Sequence, residues 1–208
     1  MKLLLFCRAT VVMAAAGAYA AENGPVLICV QHRGLIDNFI MARAQTVVNA
    51  VFSNANIRTE WLPSRRCMNA PDNVIHIEMD STPPSHFGPE TMAYAMPYRT
   101  TGVAIHVFYD RVLQDHHDMP VEVLGHVIAH EIGHVLEGVA RHSTDGLMKP
   151  HWSLKDYLQM KKPRLLFAAE DVELMRLHLQ RASAGSVSAR SEAPWAWYSL
   201  ARLCRLSA

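Results

Sequence analysis

The chain has 208 residues, with 20 Lys and Arg against 19 Asp and Glu, and a formal net charge of +1 at pH 7. This length suits one domain with a substantial hydrophobic core and is short for two. The Lys and Arg residues are scattered, which excludes the basic stripe that follows a phosphate backbone. We therefore expect no nucleic-acid partner, and we expect a monomer.

The N-terminal residues have the pattern of a secretory signal peptide. Lys2 and Arg8 give a basic start, residues 9–18 are apolar, and residues 18–20 (Ala-Tyr-Ala) have the small-x-small form that signal peptidase recognises. The apolar run is too short for a membrane span, which takes about 20 residues. We predict cleavage after Ala20 and a mature protein that is secreted or periplasmic, with no membrane attachment after cleavage.

Three cysteines remain in such a mature chain, Cys29, Cys67 and Cys204, because Cys7 leaves with the signal. In an oxidising compartment cysteines pair. Cys29 lies in a predicted strand and Cys67 follows another, so a bridge between these two with a free Cys204 is the favoured arrangement. Spacing alone does not fix the pairing.

Hydrophobic periodicity divides the chain into strands and helices that follow one another in an α+β order. Strands are predicted where β-formers alternate or cluster between Pro and Asn residues, and helices where apolar residues recur at helical spacing. We assign residues 21–181 to one domain, and residues 182–208, which have no clear period, to an irregular tail. The predicted strands are 25–31, 57–62, 73–79, 91–96 and 103–109, and the predicted helices are 36–54, 121–137 and 165–181.

The predicted helix at 121–137 carries the chemistry, because residues 130–134 form a His-Glu-x-x-His motif. Two histidines four positions apart point about 40° apart around a helix and can reach one metal ion. Zinc favours imidazole ligands, and a catalytic site leaves one tetrahedral position open. We predict that His130 and His134 bind zinc. Glu131 lies beside their face, in the position of a general base.

The opposite side of this helix supports the assignment. An apolar arc there provides a face that packs, so that the histidine face is left for a site. The ordinary alternative is that His130 and His134 are surface or core histidines, since the motif also arises by chance. The arc and the export signal favour the metal site. The arc consists of Val121, Leu124, Ile128, Ile132, Val135 and Leu136.

Residues 130–150 (HEIGHVLEGVARHSTDGLMKP) resemble the zinc-binding stretch of the metzincin metalloproteases, and residues 142–150 are especially similar to the matrix-metalloprotease branch. The resemblance implies that Gly138 turns the chain, that His142 is the third zinc ligand and that Met148 lies beneath the metal. A glycine just past a helix end readily takes the left-handed conformation that such a turn needs.

The resemblance also implies a metzincin-like fold: a small mixed sheet of four to five strands, a long helix, an active-site helix and a C-terminal helix. A peptide or protein substrate would then bind as an extended strand along the sheet edge near residues 91–96.

The loop before the third histidine departs from the family pattern. Seven residues separate His134 from His142, where the family has five, and Gly138 is the fourth residue after His134 rather than the third. Two other histidines are therefore alternative ligands. His151 follows Met148 and is otherwise a loop histidine. His126 lies one turn before His130 and is otherwise a buried histidine bonded beneath the site.

These features predict a secreted zinc-dependent endopeptidase that hydrolyses peptide bonds by activated water, with Glu131 as general base. One alternative is a non-catalytic zinc-binding module on a protease scaffold. Glu131 argues against it. A structural zinc site tends to be closed by a fourth protein ligand and needs no carboxylate beside the metal. A second alternative is a zinc amidohydrolase that acts on a non-peptide amide, which nothing in the sequence excludes.

Overall fold

The computed structural model describes residues 24–32, 36–71, 73–81, 83–96, 103–161 and 165–185. The predicted signal peptide, residues 97–102 between two predicted strands, and tail residues 186–208, including Cys204, lie outside these ranges. Within the described ranges no helix has the length and apolar character needed to cross a membrane.

Five strands form one mixed sheet in the order β2-β1-β3-β5-β4. Neighbouring strands are parallel except for β4, which pairs antiparallel with β5 at an edge of the sheet. The predicted α+β fold with a small mixed sheet is confirmed, although β2 is shorter than the predicted strand at 57–62. The strands are β1 (Val26–Gln31), β2 (Thr59–Trp61), β3 (Ile75–Asp80), β4 (Ala93–Met96) and β5 (Val103–Phe108).

The described ranges also contain six helices, of which the sequence predicted the three long ones. The short helices α2, α3 and α5 were missed, because four to eight residues are too few to show a hydrophobic period. The helices are α1 (Asn38–Asn54), α2 (Ser64–Cys67), α3 (Tyr109–Asp115), α4 (Pro120–Glu137), α5 (Leu154–Lys161) and α6 (Ala169–Gly185).

Helix α6 begins and ends four residues later than predicted. The backbone N–H of Ala168 donates to Asp171 Oδ2 at 3.0 Å, an N-terminal capping contact that sets the start of the helix. Before the helix, the carbonyl of Leu166 accepts a hydrogen bond from the N–H of Leu147 at 2.8 Å. This contact between two loops keeps Leu166 out of the helix. The first residues of the predicted tail, 182–185, therefore belong to this helix.

The main core lies between the sheet and helices α1 and α4, which pack closely against each other. A Cβ atom at Gly125 of α4 would lie 2.6 Å from Val47 Cβ of α1, so glycine is needed where the two helices cross. Large core side chains with no exposed surface come from all three elements: Ile28, Ile77 and Ile105 from the sheet, Phe52 from α1, and Leu124, Ile128 and Ile132 from α4.

A second, smaller apolar cluster contains Cys29, Leu62, Cys67 and Val74. Adjacent residues of a strand point to opposite faces, so Cys29 faces away from the main core that holds Ile28. A disulfide joins Cys29 of β1 to Cys67 of α2, with 5.7 Å between the Cα atoms. The favoured pairing of these two cysteines is confirmed.

Candidate metal centre

Helix α4 holds the motif histidines between two residues that define its ends. Pro120 occupies the first turn, and Gly138 caps the C-terminus with φ 66° and ψ 17°. The N–H of Gly138 donates to the carbonyl of His134 at 3.2 Å. A Cβ atom at Gly138 would collide with the ring of His178 on α6. Both the left-handed backbone and this contact therefore require glycine at the turn.

The chain beyond Gly138 brings His142 beside the two motif histidines. One potential ligand atom from each of His130, His134 and His142 lies within 4.8 Å of the others. The Nε2 atoms of His130 and His134 are 3.0 Å apart, and the His142 ring centre lies 5.4 Å from that of His130 and 4.9 Å from that of His134. Zn–N bonds of about 2.0–2.1 Å put two nitrogens of a tetrahedral site about 3.3 Å apart. The spacing fits one small ion.

The two alternative ligands lie outside this group of three. His126 is fully buried, and its Nδ1 donates to the carbonyl of Glu122, one turn earlier in α4, at 2.7 Å. His151 is near enough for its charge to lower the pKa of His142, but it contributes no atom to the group. Among the described residues, the structure therefore brings His142, rather than His126 or His151, to the motif histidines.

The surroundings of the three histidines lower their pKa values and so favour the neutral form, which is the form that binds metal. Burial lowers the pKa of His130 to about 4, although its hydrogen bond to Leu147 opposes the shift. Burial, together with the charges of its neighbours, lowers the pKa of His134 to about 2. Partial loss of solvation also lowers the pKa of His142, although this residue keeps an exposed surface. Because His130 Nδ1 donates to the Leu147 carbonyl at 2.9 Å, the neutral ring keeps a lone pair on Nε2.

Glu131 is buried, with 8% of its surface exposed, and is not one of the three grouped residues. Loss of solvation raises the pKa of its carboxyl group to about 8. Glu131 directly follows His130 in the helix, so a buried carboxyl group lies next in sequence to a member of the histidine group.

Met148 packs against the motif helix between its two histidines. Its side chain is fully buried, and a Cβ atom at Gly133 would lie 2.6 Å from its Sδ atom. The Met148 carbonyl also accepts a hydrogen bond from the N–H of Ser143 at 2.8 Å, which closes the loop that carries His142. The turn expected at Met148 thus lies directly against α4.

No family model matches the chain, and no curated protein matches it. Among solved structures it is similar to archaemetzincin from Methanopyrus kandleri, with a TM-score of 0.48 and 17% identity, over 80% of this chain and 99% of that one. Likeness at this level carries no weight for function, so the function proposed below rests on the residues of this chain.

Trp152 is a part of the site that the sequence analysis missed. Its Nε1 donates to the Leu147 carbonyl at 3.0 Å, the same oxygen that accepts from His130. Its ring stands edge-on to the His130 ring at 5.7 Å between centres. The residue lies in a loop beyond Pro150, where no periodicity distinguishes it, so only the fold reveals its role.

A second group of ligand-type side chains lies on neighbouring strands and consists of Glu78, Asp80 and His106. The histidine of this group, His106, contacts the side chains of two other residues. His106 Nδ1 lies 2.6 Å from Asp80 Oδ2, and the ring stacks on Tyr94 of β4 at 4.8 Å between centres. We interpret this group as a hydrogen-bonded contact that links β3 and β5.

Proposed function

We propose that this chain is a metzincin-like, zinc-dependent endopeptidase. The observation that carries the proposal is the convergence of neutral His130, His134 and His142 within 4.8 Å of one another, beside the buried Glu131. Among the described residues, no fourth His, Cys, Asp or Glu joins this group. Three protein ligands with a position left for water or substrate are typical of catalytic zinc, whereas a structural site is closed by four.

The proposed chemistry divides between the metal and Glu131. His130, His134 and His142 would hold the zinc ion, which when bound would supply Lewis acidity to a water molecule and to the scissile carbonyl. Glu131 accepts the proton from the attacking water on a carboxylate oxygen and returns it to the leaving amine. Its burial keeps the carboxyl group away from bulk water, so the proton is transferred within the site.

The sheet edge at β4 supports a peptide as the substrate. Among the described residues, β4 pairs only with β5 and is therefore an edge strand. Helix α4 packs against β4, so this edge lies next to the helix that carries the site. An exposed edge strand offers backbone N–H and C=O groups to an added strand. We propose that a peptide or protein substrate binds there in extended form.

We also propose that the protein is exported and that it is related to the matrix-metalloprotease branch. The Cys29–Cys67 bridge supports an oxidising compartment, as the signal-like N-terminus does. The run at residues 142–150 supports a relationship to the matrix-metalloprotease branch, with two additional residues between the second and third histidines.

The experiment that tests the proposal uses residues 21–208, with zinc content measured and cleavage followed on a broad peptide library. We expect Glu131→Gln to retain zinc and lose cleavage, and His142→Ala to lose zinc affinity. His151→Ala is the matched control and should leave zinc affinity unchanged. Undiminished cleavage by Glu131→Gln would overturn the mechanism. Zinc binding by the unmodified protein without any peptide cleavage would favour a binding module, or an amidohydrolase if simple amides are hydrolysed.

A further inference from the structure

Of the three grouped histidines, His142 is the one whose backbone is not held in a helix or strand. His130 and His134 are fixed by the hydrogen-bonded backbone of α4, whereas His142 is exposed and lies outside every helix and strand. Ordering a loop residue costs conformational entropy. A ligand on an unrestrained loop would lose that entropy on binding metal, so the loop requires an anchor.

Both sequence neighbours of His142 bind the same carboxylate oxygen on α6. Arg141 Nη2 donates to Asp171 Oδ1 at 2.7 Å, and the Ser143 hydroxyl donates to the same atom. The side chain of Asp171 has no exposed surface. Hydrogen bonds to a charged acceptor that is shielded from water are among the stronger ones in proteins. The loop is thus held on each side of His142.

The carboxylate is itself fixed in place. Its Oδ2 atom accepts from the N–H of Ala168 at 3.0 Å, so Asp171 also caps the helix on which it stands. Arg141 extends the connection to α4, because its Nε lies 3.5 Å from Oε2 of the buried Glu137. On the other side, the Ser143 N–H is bound by the Met148 carbonyl. The anchor therefore connects the end of α4, the start of α6 and the turn at Met148.

We propose that Asp171 is a positioning residue for the third zinc ligand, acting through Arg141 and Ser143 to hold His142 at the site. This inference rests on the proposed zinc site. The Asp171 clamp, made of Arg141, Ser143 and Asp171, holds a loop that is two residues longer than in the family pattern. A longer loop needs a tertiary anchor, and the clamp supplies one on each side of the ligand.

The test compares zinc affinity with the stability of the zinc-free protein for Asp171→Asn, Ser143→Ala and Ser143→Thr. Loss of a partner that orients a metal ligand typically costs about 10- to 100-fold in metal affinity. We expect a loss in that range for Asp171→Asn and a smaller loss for Ser143→Ala, with recovery in Ser143→Thr because the hydroxyl returns. Affinity is measured by competition with a chelator. Visible absorption of the Co²⁺-substituted protein reports the ligand geometry.

Asp156 provides a matched control. It is a buried carboxylate that accepts hydrogen bonds from Lys149 Nζ at 2.5 Å and from the Ser153 N–H and hydroxyl, each at 2.7 Å. This loop carries His151 and Trp152 and not His142. We expect Asp156→Asn to lower thermal stability, to lower zinc affinity by less than Asp171→Asn does, and to leave the Co²⁺ spectrum unchanged.

The outcomes separate this inference from the proposed function. An unmodified protein without zinc affinity overturns both. If His142→Ala abolishes zinc affinity while Asp171→Asn and Ser143→Ala change it by less than twofold, the clamp alone is overturned. If Asp171→Asn does not fold, the Ser143 pair still decides, because Ser143→Ala removes one hydroxyl and leaves the Arg141–Asp171 pair intact.

Discussion

The Nδ1 atom of His130 donates a hydrogen bond to the carbonyl oxygen of Leu147 at 2.9 Å. This bond joins the motif helix to the turn that carries Met148, and it fixes the tautomer that leaves Nε2 for metal. An outer partner of this kind orients a metal-binding histidine and raises its basicity. A backbone carbonyl fills this role here, so the support depends on the course of the loop and not on a side chain.

The Leu147 carbonyl accepts a second hydrogen bond, from Trp152 Nε1. Replacing Trp152 measures how much this bond contributes to stability and to zinc affinity. Trp152→Phe keeps most of the buried ring and removes the Nε1–H donor, so we expect the free energy of unfolding to fall by about 1 kcal/mol. Zinc affinity should fall by less than about 10-fold, since His130 keeps its own bond. Urea denaturation and chelator competition measure the two effects.

Trp61→Phe is the control for Trp152→Phe, because Trp61 Nε1 donates to Asn49 Oδ1 at 2.8 Å, in contacts separate from the site. Zinc affinity should not change in this variant. An equal change in zinc affinity for both tryptophans would show that the Leu147 bond has no special role.

Gly138→Ala should be destabilising for two reasons. The backbone is left-handed, with φ 66°, a conformation that costs a non-glycine residue about 1–2 kcal/mol, and the new Cβ collides with the His178 ring. We expect a loss above 1 kcal/mol with a fall in zinc affinity, because the turn delivers His142. In the double variant with His178→Ala, we expect the protein to regain only the part of the stability that the collision had cost. Gly24→Ala, where a Cβ meets nothing within 4 Å, should have little effect.

Glu137 makes stability depend on pH. Its pKa is raised to about 7, first by burial and then by Asp171 and Glu170, with Arg141 opposing. Since its ordinary value is 4.5, the folded protein binds more protons than the unfolded chain between about pH 4.5 and 7, and this group therefore lowers stability as the pH rises through that window.

Replacing Glu137 by Gln removes this titration. We expect the zinc-free Glu137→Gln variant to gain stability relative to the unmodified protein as the pH rises from 5 to 8, by at most about 3 kcal/mol. Comparing the two proteins at each pH isolates Glu137 from the histidines, whose lowered pKa values act in the opposite direction. A constant difference across this range would contradict the expectation.

The disulfide should contribute to stability without supporting the site. Cys29 and Cys67 are 38 residues apart, and closing a loop of that length stabilises a protein by about 3–4 kcal/mol in the chain-entropy model. We expect Cys29→Ser with Cys67→Ser to lower the melting temperature and to keep zinc affinity, because the cluster around the bridge is separate from the core that includes Met148. Loss of zinc binding in a folded double variant would contradict this.

Extended binding along β4 is testable from the substrate side. Methylating a backbone nitrogen of a cleaved peptide removes one donor, and a typical hydrogen bond contributes about 1 kcal/mol. We expect alternate positions to be sensitive, because only every second residue of an added strand bonds to the neighbouring edge. Equal kcat/KM for all methylated peptides would exclude strand addition.

Local signals account for what the sequence predicted correctly. The long helices α1 and α4 show their apolar period directly, and Pro120 and Gly138 define the ends of α4 through backbone preferences that need no tertiary contact. Strands β1, β2, β3 and β5 were recognisable because they contain several β-formers, whereas β4 contains only Tyr94. The convergence of His130 and His134 follows from helical spacing alone.

Contacts between distant residues account for what the sequence did not reveal. The start of α6 depends on Asp171, and Asp171 is committed to Arg141, 30 positions earlier. Trp152 belongs to the site only because the Leu147 carbonyl faces it. The position of His142 was expected from family resemblance, and its anchor on α6 becomes visible only when the two segments are placed together.

Packing restricts the residue type at position 133, although the motif allows any residue there. The pattern His-Glu-x-x-His leaves two positions open, but Ile132 is fully buried in the core and Gly133 lies against Met148 Sδ. Related chains with a side chain at position 133 would have to move the Met148 side chain away from this face of the helix. In evolutionary comparisons, Gly133 and Met148 should therefore be retained or replaced together.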